Sequence, residues 1–193
     1  MTLPKTLAAP LAAVAALIGA SPALGAQDSP PPPGKADQSG LHAFDLRAGR
    51  WTARNHVLKD RLAGSHDWID YQSTQTFWLL EDSAANVDEN VMYKPGQTYR
   101  GVTLRTYDPK TGEWAIWWFD GRNPHAVDPP VKGRFVNGVG LFYSDDTLRG
   151  KPIKVRFAWS KITRDGAHWE QAFSGDGGKT WETNWITDFK RAK

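Results

Sequence analysis

The sequence contains no cysteine, which excludes disulfide staples, thiolate metal sites, a cysteine nucleophile and a lipid anchor on cysteine. Stability must come from packing alone. No window of 12 residues carries a clean apolar stripe of helical period, so helices are not the main building material. The five histidines, at positions 42, 56, 66, 125 and 168, show neither H-x-x-x-H nor H-x-H spacing, and no metal site is read from them. A glycine-rich phosphate loop and a G-x-S-x-G nucleophile elbow are also absent. Charge of one sign is not clustered. The formal charge is +3, in mixed-sign runs such as Lys59-Asp60-Arg61, which describes a solvated surface and not a nucleic-acid footprint.

Aromatic residues are abundant: ten Trp, eight Phe and five Tyr. Each large apolar side chain stabilises a fold by roughly 1.5–3 kcal/mol when buried, so these rings can replace the missing staples. A chain of 193 residues with 40% hydrophobic content suits one well-filled domain.

Residues 1–26 read as a secretory signal peptide. Lys5 precedes an apolar run at 7–20 (LAAPLAAVAALIGA), which is short and broken by Pro10, and small residues come after it. The expected location is therefore periplasmic or secreted. Residues 27–40 (QDSPPPPGKADQSG) carry four consecutive prolines and little to bury, and read as a disordered linker. The folded domain is expected at 41–193, opening with a short helical turn at 41–46 that plugs one end of the β-structure.

From Gly49 onward, turn residues punctuate the chain about every ten positions. Strand candidates are 50–59, 68–80, 86–93, 99–107, 114–119, 131–135, 139–143, 154–161, 168–173 and 181–189. Asp108 to Gly112, Asn137-Gly138 and Asp165-Gly166 supply hairpin chemistry. Short sequential hairpins predict an all-β, antiparallel up-and-down barrel of about ten strands.

Alternation assigns faces. Trp114, Ile116 and Trp118 share one face of their strand, as do Val155, Phe157 and Trp159, then Trp169, Gln171 and Phe173, then Trp181, Trp185 and Phe189. These rings either fill a core or line a cavity for a small ligand. Glu89 shares a face with Val87, Val91 and Tyr93. If that face points inward, Glu89 either meets a cation such as Arg105 or Arg156 or is held neutral; the opposite facing would put it outside.

Ser174 to Trp181 (SGDGGKTW) matches the Asp-box pattern S-x-D-x-G-x-T-W. It occurs once and no propeller period is present, so it reads as a register-setting turn.

Several ordered motifs carry a resemblance. They are Asn86 to Val91 (NVDENV), Arg100 to Arg105 (RGVTLR) with Tyr107-Asp-Pro, Trp114-x-x-Trp117-Trp118 with Asp120-Gly-Arg, Asp128 to Gly133 (DPPVKG), and Trp169-Glu-Gln with the Ser174 to Trp181 turn. Together they resemble a bacterial family of domain-of-unknown-function proteins with a lipocalin-like, calycin-type β-barrel, over residues 41–193. The resemblance implies a central cavity and assigns no reaction. Calycin-type barrels hold lipids, haem or other hydrophobic molecules. Of the histidines, His125 in loop 121–130 is the candidate axial ligand, but no histidine falls on an inward strand face, which argues against haem. No cofactor is expected.

The leading functional expectation is a carrier or sensor for a small hydrophobic or aromatic molecule. Trp118, Trp159, Trp169 and Trp185 would form the walls, and Gln171, Glu89 and either Arg105 or Arg156 would orient a polar end. One alternative is an isomerase, lyase or hydrolase using Glu89 as acid or base beside an arginine. Another is a surface module that binds glycan or protein through exposed Trp rows.

Overall fold

The computed structural model describes residues 40–193. The signal-peptide reading at 1–26 and nearly all of the linker read at 27–40 lie outside the described residues. The described chain forms ten antiparallel strands: β1 Gly49–Leu58, β2 Trp68–Leu80, β3 Ala85–Lys94, β4 Gln97–Asp108, β5 Glu113–Asp120, β6 Val131–Val136, β7 Val139–Leu148, β8 Lys151–Ser160, β9 Gly166–Ser174 and β10 Glu182–Arg191. Each strand pairs with its neighbours in sequence and β1 pairs with β10, so the sheet closes into an up-and-down barrel of calycin/lipocalin-like class. Closure removes the open edges that would otherwise invite aggregation.

Local chemistry explains the hairpins. Asn137 and Gly138 both adopt positive φ, at 51° and 79°, as a two-residue turn between twisted strands requires. Strand β7 continues to Leu148, past its expected end at Tyr143, because pairing with β8 carries the polar residues Ser144 to Thr147 that hydropathy alone reads as loop. The seam between β5 and β6 is thin, only three pairs from Trp114↔Gly133 to Ile116↔Val131. Gly133 is required there: a Cβ at this position would lie 1.9 Å from the Leu141 carbonyl oxygen.

One barrel end is plugged, in line with the helical turn expected at 41–46, by residues 40–48, including a single 3-10 turn at Asp45–Arg47. Phe44 is fully buried, with ring centroids 5.1 Å from Trp114, 5.1 Å from Phe135 and 5.6 Å from Trp159. Indole N–H groups stitch the plug in place, Trp114 donating to the Gly40 carbonyl at 2.8 Å and Trp51 to the Arg47 carbonyl at 2.7 Å. The main hydrophobic cluster gathers around this plug and extends along β8 and β9 to Val155 and Phe173.

Strand β10 contains one departure from the expected faces. Register shifts between Thr183 and Trp185, with the fully buried Asn184 between them. A bulge of this kind changes which face the preceding residues present. Trp181 consequently does not join Trp185 and Phe189 inside, and its ring lies 4.7 Å beneath the Arg156 guanidinium and 5.9 Å from Tyr143.

Candidate functional site

A cavity of about 420 Å³ occupies the barrel beyond the plug. Its two walls differ in composition. Strands β8, β9 and β10 present a ladder of rings, with Phe157 5.0 Å from Trp169, Trp169 6.4 Å from Trp159 and 5.6 Å from Trp185, and Trp159 stacked 5.6 Å from Phe189. Trp118 adds a ring from β5. Its place is made by the inward-facing Gly101 on β4, where a Cβ would lie 2.2 Å from the indole.

Strands β2 to β4, with Arg47 of the plug, present a hydrogen-bonded polar chain instead. Arg47 donates to Gln75 Oε1, Gln75 donates to Asn90 Oδ1 at 3.1 Å, and Asn90 donates to Asp88. Arg105 closes the chain, donating to Asp88 Oδ2 at 2.5 Å and to Asn86 Oδ1 at 3.1 Å. All six side chains are buried, Asp88 at 0% and Arg105 at 2% exposure. Burial pulls the Arg47 guanidinium down to about 9, and the Asp88 carboxylate works against that pull. Beside this chain, Asn55 accepts from Trp185 Nε1 at 3.1 Å and Thr187 Oγ1 at 2.9 Å, joining the polar wall to the aromatic one.

At the far end from the plug, loop side chains line the cavity. Arg61 lies over Phe173 and Trp185, at 5.3 and 5.8 Å, with burial lowering its pKa. Leu62, the next residue, is anchored by its N–H to Glu182 Oε1 at 2.6 Å. Arg122 stacks 3.9 Å over Tyr99 and donates its Nε to Asp120 Oδ1 at 2.9 Å. That bond holds the Asp120 carboxyl below its usual range, whereas burial and the neighbouring Asp146 and Asp120 raise Asp128. Burial and Tyr99 raise the Tyr71 phenol.

Of the residues singled out from sequence, Arg105, Trp118, Trp159, Trp169, Gln171 and Trp185 line the cavity together. Two do not. Glu89 points to the outer surface, 43% exposed, and accepts from Arg100 at 2.6 Å. The reason is that β3 is oriented with its polar residues inward: Asp88 sits opposite the buried Phe77 of β2, so Val87, Glu89 and Val91 are turned outward. Arg156 lies between the inward Val155 and Phe157 and therefore faces out, over Trp181. His125 is exposed on the β5–β6 loop and does not line the cavity.

Sequence reasoning does not find Asp88, Asn86, Asn90, Gln75 or Arg47. A signal exists in the period-two polar set Asn86, Asp88 and Asn90, of which Asn90 pairs with Gln75 on β2. Hydropathy points the apolar residues of such a strand inward, the usual orientation, and so hides it. Among the described residues no group of three or more His, Asp or Glu could hold a metal ion.

The fold and cavity define a lipocalin-like barrel with an aromatic wall and a buried polar wall. Among solved structures, the chain is similar to an S-type phycobiliprotein lyase, CPES, from Guillardia theta, with TM-score 0.52 and 10% identity over 78% of this chain and 90% of that one. At this identity the likeness is one of fold. No protein-family model matches the chain, and no curated protein matches it.

Proposed function

We propose that the protein is a periplasmic or secreted carrier or sensor that binds a small hydrophobic or aromatic molecule inside the barrel. The observation that carries this reading is the 420 Å³ cavity, lined on one side by Trp159, Trp169 and Trp185. That volume lies within the roughly 300–1,000 Å³ of small-molecule sites, and aromatic walls with a few placed polar groups are their usual lining. The similar fold of a phycobiliprotein lyase supports the binding of a small molecule in the barrel. The leader read at residues 1–26 supports the extracytoplasmic location.

A reaction based on Glu89 is not supported, because that carboxylate is outside the barrel. A surface module is supported less than a cavity binder, since Trp78 is the one exposed tryptophan among the ten.

The test is to export the full chain, purify it from the periplasmic fraction and characterise it by native mass spectrometry. A co-purified apolar molecule that quenches tryptophan fluorescence on rebinding is expected. Failure of any apolar or aromatic molecule to bind would overturn the carrier reading. Retention in the cytoplasm with residues 1–26 uncleaved would overturn the location.

A further inference from the structure

Among the described residues, more buried side-chain donors than acceptors are left without a hydrogen-bond partner. Arg47, Arg105 and Asp88 are all at or below 2% exposure, so two guanidinium groups share one carboxylate. Arg47 Nε and Nη1, Arg105 Nε, Asn86 Nδ2 and Trp159 Nε1 are buried without a partner, and every one is a donor. The unpartnered acceptor of this kind among the described residues is Asp45 Oδ1, in the plug, where the other oxygen pairs with His42.

Among the buried tryptophans Trp51, Trp114 and Trp159, it is Trp159 whose indole N–H lacks an acceptor. Trp51, Trp114, Trp181 and Trp185 each donate to an oxygen of the protein. Trp159 is 3% exposed, lines the cavity and donates to nothing. Its ring lies 5.5 Å from the Arg105 guanidinium carbon and 5.3 Å from that of Arg47, so both guanidinium groups lie beside this one indole. Water can satisfy a stranded N–H, but surplus buried charge calls for an anion.

We propose that the floor of the cavity, between Trp159 and Arg105, is a subsite for the carboxylate of an amphipathic ligand. The Trp159 Nε1–H and the Arg105 guanidinium bind the carboxylate, and Arg47 adds positive charge behind them. The apolar body of the ligand then runs along Trp169 and Trp185 toward Arg61 at the far end. This deepens the ligand-binding reading above and rests on it.

The test compares octanoate with octanol on the full chain, using 15N-labelled indole resonances and calorimetry, with Trp159→Phe to assign the Trp159 signal. Octanoate should bind about tenfold more tightly than octanol, the difference a charge-assisted hydrogen bond supplies. It should also shift the Trp159 resonance, and Trp159→Phe should remove most of the carboxylate's advantage. Equal affinity for the two probes, with shifts at Trp169 and Trp185 only, would overturn the anion subsite and leave the cavity reading standing. No shift at any indole with either probe would overturn both. The preference of the unaltered chain decides the matter even if Trp159→Phe folds poorly.

Discussion

The two walls of the cavity solve one problem, burying the inside of a closed sheet, with opposite materials. On β8 to β10 most of the inward residues are apolar, Phe157, Trp159, Trp169, Trp185 and Phe189 among them, with Gln171 and Thr187 as polar exceptions; on β1 to β4 they include Asn55, Ser73, Gln75, Asp88, Asn90 and Arg105. The aromatic wall gains its stability from area and contact, which tolerate a range of ligand shapes. The polar wall gains it from directional bonds, each of which strands a partner if broken. Such a division suits a site in which one wall supplies affinity and the other orientation.

Breaking the polar wall should have the largest effect. Asp88→Ala leaves the buried Arg105 and Arg47 without their shared carboxylate, and urea unfolding should show a loss of about 3–5 kcal/mol. A loss below about 1 kcal/mol would mean that the polar residues do not act as one network. Trp169→Ala, on the aromatic wall, should cost about 2 kcal/mol, less than a fully packed Trp because part of its ring faces the cavity and not other side chains. Binding of any cavity ligand should fall further than stability does, as fluorescence titration would record.

Smaller effects separate the outer surfaces behind the two walls. His168, on the outside of β9, is pulled down by burial, but hydrogen bonds to Asp188 at 2.7 Å and Glu170 at 2.9 Å raise its pKa above 6.5 overall. The folded state thus binds this proton more tightly than the unfolded chain. Its stabilisation is fully present below 6.5 and is lost as pH rises through the higher folded value. Melting temperature followed across that window should decline in the natural chain and run flatter in His168→Gln. Glu89→Gln should matter least. Its pair with Arg100 is exposed on both sides, 43% and 64%, so a change under about 1 kcal/mol is expected by urea melt. A larger loss would show that β3 has its other face inward.

The contrast between walls also separates what is legible in the residues from what is not. Along β5, β8 and β9 the apolar residues face inward, so alternation alone places Trp118, Trp159, Trp169 and Gln171. On β3 the same rule inverts: Asn86, Asp88 and Asn90 go inside, and Val87 and Val91 face out. Alternation therefore puts Glu89 on the wrong side, and Asp88, one residue away, holds the buried position.

The sequence by itself determined the class of the fold and the number and order of strands, because turn chemistry and hydropathy are local properties that survive without neighbours. The inward rings of three strands come from it as well. Only the tertiary structure decided which face of β3 is interior, that the bulge at Asn184 sends Trp181 outside, and that Arg47 from the plug meets Arg105 beside Trp159. The physical reason is a symmetry. A period-two pattern reads the same when a strand is turned over, and only pairing with Phe77 of β2 and closure of β1 on β10 remove that ambiguity.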